Sequence, residues 1–132
     1  MSTALKARFL QGPENSCQVG NGAGALTVGD LITITAGVAV AAADSGLVSG
    51  IAGEDMAISA SLKKMLLLVP GSLWLFQKGS GTSINVGADV GAAGSGLVDG
   101  GTSSDKVLGY RVNHGQEDTT HVCVLIWPHT MA

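Results

Sequence analysis

From Leu26 onward the chain alternates apolar residues with small or polar ones. In "LITIT" Ile32 and Ile34 alternate with Thr33 and Thr35, and in "VAVA" Val38 and Val40 alternate with alanines. A period of two puts successive side chains on opposite faces, which predicts β-strands. Ala36-Gly37 and Asp44-Ser45-Gly46 read as turns between them, because glycine accepts positive φ and Asp or Ser bonds the local backbone. Leu47-Val48 and Ile51-Ala52 are further apolar pieces, broken at Gly50 and Gly53, and "MAISASL" alternates through Met56 and Ile58, with a single helical turn as the other option. Met65–Val69 and Leu73–Phe76 are apolar on both parities, so both faces of these segments must be covered. Pro70-Gly71-Ser72 between them predicts a turn, since proline presets φ and no helix runs through the pair. "VLGYRV" and a β-rich run from Thr120 to Pro128 complete the pattern. Many short strands with glycine-rich turns predict an all-β fold, a compact antiparallel β-barrel or sandwich.

The first residues follow another grammar. "QGPENSCQVGNGAGA", Gln11 to Ala25, clusters glycine, proline and asparagine and keeps neither the strand nor the helix period, which predicts a loop or arm. Ahead of it, in "ALKARFL", Leu5, Phe9 and Leu10 form an anchor on a short helix or an added strand. The predicted organisation is an extended N-terminal arm over residues 1–25 and one β domain over residues 26–132.

Composition bounds the function. A chain of 132 residues buries roughly 65–70% of the surface its unfolded form exposes, enough for one domain. Apolar residues make up 45%, but aromatics are 4% and glycines number 20, so large side chains are scarce and a thin core helped by partner subunits is expected. Charged residues are 13% with a net charge of −3, against a usual charged share of about 25%. Seven basic residues with one adjacent pair, Lys63-Lys64, do not make a nucleic-acid surface. Cys17 and Cys123 lack CxxC spacing and read as two reduced thiols. No apolar run of signal-peptide length follows Lys6 and Arg8, and Leu31 to Ala43 is too short for a membrane helix, so a soluble protein is expected.

Two pairs of words recur. "SGLVSG" at Ser45–Gly50 returns as "SGLVDG" at Ser95–Gly100, and "TVGD" at Thr27–Asp30 is answered by "NVGAD" at Asn85–Asp89. Either two similar β units pack together, or a chain rich in Ala, Gly, Ser and Val repeats short words by composition. In both cases the words read as bends.

The succession "LTVGDLITITAGVAVAAADSGLVSGIA", "VPGSLWLF", "INVGADVGAAGSGLVDGG", "VLGYRV" and "HVCVLIW" resembles the small all-β decoration, or cement, proteins of tailed-bacteriophage heads, over about Leu26 to Pro128. The resemblance implies a β-barrel-like body in which Gly29, Asp30, Gly37, Gly46, Gly87, Asp89, Gly96 and Gly109 serve turns and strand entries. It implies a virion protein, made in the host cytoplasm and often trimeric, on the outer surface of the capsid. There it bridges major capsid protein subunits and staples them against internal DNA pressure. Other phage structural roles (head-fibre base, tail or head-completion protein) and a carbohydrate-binding β module stay open beside it. Leu5, Phe9 and Leu10 are assigned to docking on the capsid or a neighbouring copy, and Trp74 and Phe76 to the core or a subunit interface.

The sequence carries no recognisable catalytic or metal-binding motif. No G-x-S-x-G elbow is present, and "GNGAGA" at Gly20–Ala25 has no strand before it or helix after it as a dinucleotide site needs. His114, His121 and His129, with Glu117 and Asp118 nearby, lack the short spacings that supply paired metal ligands. Glu54-Asp55 and Glu117-Asp118 read as solvated acids in turns. The expectation is therefore no enzyme, no cofactor, no metal, no nucleic acid and no membrane contact.

Overall fold

A computed structural model describes residues 6–21, 25–43, 46–55, 59–79, 83–94, 97–100, 106–115, 117 and 120–130. The fold is all-β. Its strands are β1 (Ala7–Gln11), β2 (Asn15–Asn21), β3 (Leu31–Thr35), β4 (Val38–Ala41), β5 (Gly50–Ala52), β6 (Ser59–Leu67), β7 (Leu73–Gln77), β8 (Asp89–Gly94), β9 (Leu97–Gly100), β10 (Lys106–Val112) and β11 (His121–Thr130). Strands β2, β4, β3, β5 and β6 close into a small barrel, and β1, β7, β11, β10, β8 and β9 form a six-stranded sheet in that order.

The segment expected to be a loop from Gln11 to Ala25 supplies β2, and Ala7–Gln11 is a strand rather than a short helix. β2 escaped the periodicity argument because Val19 is buried while Asn15, Ser16, Cys17 and Gln18 are exposed, which leaves no alternation to read. β1 pairs antiparallel with β7, and Lys6 just before it holds Asp30 at 2.7 Å, so this stretch straps the barrel to the second sheet.

Strand for strand, the chain is a duplication. In β2 to β6 the first strand pairs with the last, the last with the fourth, the fourth with the second, and the second with the third; β7 to β11 repeat that order. The registers match as well. Cys17 faces Met65 as Trp74 faces Val124, and Ala52 faces Met65 as Arg111 faces Val124. Gly29 donates to the Ala52 carbonyl at 2.8 Å and Ala52 donates to Asp30 at 2.9 Å; Gly87 and Arg111 do the same at 2.7 Å, with Arg111 donating to Ala88 at 2.9 Å. Even the parallel closure recurs, Asn21 facing Ala39 in the barrel and Lys78 facing Val98 in the second unit. Corresponding residues stand 57 to 59 positions apart in these pairs.

This spacing separates the two echoes. "TVGD" and "NVGA" are equivalent β-turns: Asp30 donates to Thr27 and Ala88 to Asn85, each at 3.0 Å, with Gly29 and Gly87 at φ 92° and 89°. Glycine takes the third turn position because a side chain there is strained at such φ. The hexamers, 50 positions apart, are out of register. The second copy supplies β9, whose counterpart is β4, whereas the first lies between β4 and β5 and ends on the first residue of β5. Their likeness is compositional, and the expectation that they mark equivalent bends is corrected accordingly.

Burial follows the duplication. The barrel interior holds Val19, Leu26, Ile32, Ala39, Ala52 and Met65. The counterparts of five of these, Phe76, Ile84, Val90, Val98 and Val124, sit in the core of the second unit, while the place of Ala52 is taken by the half-buried Arg111. Alternation explains how the two units join. Leu31, Ile51 and Leu66 are neighbours of inward-facing Ile32, Ala52 and Met65, and pack on the second core from the other face of their strands. Both faces of β6 are thereby covered over Met65–Leu67, where its sequence is apolar on both parities. Pro70 and Gly71 form the turn linking the units, with Gly71 at φ 92° and Ser72 donating to Val69 at 3.0 Å. At the β3–β4 hairpin Ala36 and Gly37 take φ 51° and 82°, the mirror-image turn whose twist suits adjacent strands.

Candidate interaction surfaces

The residues singled out by sequence fall into different environments. Leu5 lies outside the described residues. Phe9, on β1, is half-buried and meets Trp74 edge to face at 5.6 Å; Leu10 is half-buried. Trp74 and Phe76 are 1% and 0% exposed and stack at 6.1 Å, so they fill the core and leave no surface to offer a partner. Trp74 satisfies its ring N–H on Ser72 Oγ at 3.1 Å, which allows so large a polar-edged ring to be wholly enclosed.

Several titratable side chains hold loops and strand ends together. Glu117 accepts from Arg111 Nε at 3.0 Å, from the Cys123 backbone at 2.9 Å and from the His114 backbone at 3.1 Å, clamping the β10–β11 connection. Burial acts to raise its carboxyl, but the Cys123 N–H, the Arg111 guanidinium and the His114 N–H together carry it below the usual range. Burial, with the Glu117 charge adding to it, pushes the Cys123 thiol up to about 11. His129 bonds the Trp127 carbonyl through Nδ1 at 2.7 Å and Asp89 through Nε2 at 2.6 Å, and stacks on Tyr110 at 4.8 Å. The Trp127 carbonyl is the main cause holding His129 above its ordinary value; partial burial opposes it and Asp89 adds to it. His121 meets Thr120 Oγ1 at 2.7 Å. Among the described residues no three of His, Cys, Asp and Glu come together as metal ligands would, and Asp118 lies outside them.

The accessible surface carries several outward apolar side chains. Trp127, 55% exposed, is the largest outward apolar side chain, and Leu47 at 57% borders a groove of about 350 Å³ shared with Lys106, Val107, Pro128, His129 and Thr130. Sequence reasoning missed Trp127 because Val122 to Trp127 is apolar at nearly every position, so no alternation marks the outward face. Val28 and Val86, second residues of the two equivalent turns, are both exposed. Cys17 is an exposed free thiol and Cys123 a buried one. Among the described residues no helix is long and apolar enough to cross a membrane.

No protein-family model matches the chain, and no curated protein does. Among solved structures the fold is similar to that of the head fibre gp8.5 N base in bacteriophage phi29. The TM-score is 0.64 at 20% sequence identity, over 87% of this chain and 95% of that one. At that identity the likeness defines a shared all-β architecture over nearly the full length of both chains.

Proposed function

We propose that the protein is a structural component of a tailed-bacteriophage virion, seated on the outer surface of the head, where it stabilises the shell by bridging major capsid protein subunits. The observation that carries this reading is the near end-to-end fold match to a head-fibre base. The resemblance of the strand and turn sequence to head-decoration proteins supports it independently. So does the use of ionisable side chains: Asp30, Glu117 and Asp89 are each spent on a turn, a hairpin or a cross-strand contact. On this reading the protein acts through surface alone, without catalysis or cofactor, and several copies, a trimer by the family resemblance, turn weak single contacts into firm attachment.

A second reading, that the chain is the base of a head fibre, is favoured by the same fold match. One experiment tests both. Purified protein is added to expanded heads that lack it, and binding and heat resistance of the particles are measured. Saturable binding with raised heat resistance is expected of a bridging protein. Binding without any gain in resistance favours the fibre base, and no binding, with absence from purified particles, overturns both.

A further inference from the structure

The two units differ at one edge. In the second unit the first strand, β7, carries β1 along its outer side, with Ala7, Arg8 and Phe9 facing Phe76, Leu75 and Trp74. The matching edge of β2, at Asn15–Val19, has no such strand among the described residues: β2 pairs with β6 on one side and meets β4 only at Gly20 and Asn21. The positions from Gln11 to Gln18 are all exposed. The Ser16 N–H is met by its neighbour's Asn15 Oδ1 at 2.9 Å. Ser16, and Gln18 two residues on, therefore turn their backbone groups away from β6 toward the open side. Exposed edges are normally guarded by charge, proline or a bulge. Asn15–Val19 has neither charge nor proline, and its pairing with β6 is regular until Gly20.

The duplication also says what fits. An apolar strand like β1 suits β7 because Phe9 packs on Trp74, whereas the residue in the place of Trp74 on β2 is the exposed Cys17. A strand matched to this edge is polar, uncharged and itself open along one side. β2 of a second copy has all three properties.

We propose that two copies of this chain pair through β2, antiparallel, across a two-fold axis at Cys17. The outward groups fix the register: with its N–H exchanged from Asn15 Oδ1 to the partner strand, Ser16 of each copy lies opposite Gln18 of the other in hydrogen-bonded pairs. Cys17 then stands opposite Cys17 of the second copy at the non-hydrogen-bonded position, where Cα atoms approach to about 4.5 Å, within the span a disulfide bridges. An edge contact this short is weak in dilute solution and strengthens when copies are held on a common surface. The contact rests on the fold alone and adds to whatever three-fold contact builds a trimer.

The test uses the full chain. With oxidised glutathione, two Cys17 thiols join in one disulfide while one glutathione disulfide is reduced to two thiols. A covalent dimer is expected, retained in Cys123→Ser and lost in Cys17→Ser. Gln18→Pro removes an outward donor without touching the β6 ladder and is expected to cut the dimer yield about tenfold. In sedimentation equilibrium at high protein concentration, Cys17→Ser still associates, and Cys17→Lys, which sets like charges opposite each other, associates about tenfold more weakly or not at all. Native circular dichroism of Cys17→Lys separates lost pairing from lost folding. A dimer yield unchanged in Gln18→Pro, or association of Cys17→Lys equal to that of the unaltered chain, overturns the proposal.

Discussion

Replacing Glu117 by alanine tests how the β10–β11 connection is held. The carboxylate, 8% exposed at the side chain, serves three donors. Its loss leaves the Cys123 N–H unpartnered on a strand position of 0% exposure, and a buried donor without an acceptor costs about 1–3 kcal/mol. Arg111 is 24% exposed at the side chain and keeps its contact to the Ile84 carbonyl, so water takes over part of its lost partner. His114 is half-buried beside exposed Asn113 and Gly115 and loses less. Together these give about 3 kcal/mol, toward the lower end of what breaking a buried ion pair costs, or a fall of about 10 °C in Tm for a domain of this size. Glu117→Gln keeps an acceptor oxygen and loses the charge, and is expected to lose about half as much. The sign with pH is fixed: a carboxyl held below its unfolded value of about 4.3 stabilises the fold above that pH. The contribution fades as pH falls through the lowered folded value. Thermal melts of the three proteins from pH 7 down to about pH 2.5 should therefore converge at the acid end. An alanine variant within about 1 kcal/mol of the unaltered protein at pH 7, or a gap that stays constant into acid, refutes the account.

Three further outcomes follow from the packing. Gly109→Ala would place a Cβ 1.9 Å from the Leu125 carbonyl oxygen and 2.7 Å from the Trp127 nitrogen, both backbone atoms; a loss of about 3 kcal/mol or more, or failure to accumulate soluble protein, is expected in urea unfolding and expression trials. Trp74→Ala should cost about 3–5 kcal/mol as a core truncation, whereas Trp127→Ala should stay within about 0.5 kcal/mol, the difference being read from urea midpoints. The His129 ring, titrated by proton NMR, should lose its proton above the ordinary value of about 6.5, and Asp89→Asn should lower that midpoint. Because the fold raises this group, its contribution is full below about pH 6.5 and fades as pH rises through the folded value.

Much of the fold was legible where alternation survives in the residue types. Ile32 and Ile34 against Thr33 and Thr35 marked β3, although burial does not follow that alternation: Ile34 is exposed and Leu31, on the other face, packs on the second core. The doubled apolar run at Met65–Val69 required cover on both sides, which the two packed units supply over Met65–Leu67. The valine-glycine turns were legible as an echo because positive φ at Gly29 and Gly87 restricts the residue. The SGLV echo misled because small residues suit any hairpin and fix no register. β2 was illegible because an exposed edge strand needs no alternation. The sequence pointed to Trp74 and Phe76 as large apolar residues without telling core from interface. It hid Trp127, since the bulge between the Gly109–Ile126 and Val107–His129 pairs interrupts β11 where outward and inward parities would have to be counted.

Corresponding places in the two units are filled unequally along β2 and β4: Val19 stands where Phe76 does, Ala39 where Val98 does, and the exposed Cys17 where Trp74 does. Less apolar surface is withdrawn from water on these two strands, so local opening is cheaper there. Amide protons of β2 and β4 should exchange with deuterium well before those of β7 and β11. The molecule thus joins a pliant edge to a stiff sheet, and a load applied across it would be taken up first at that edge.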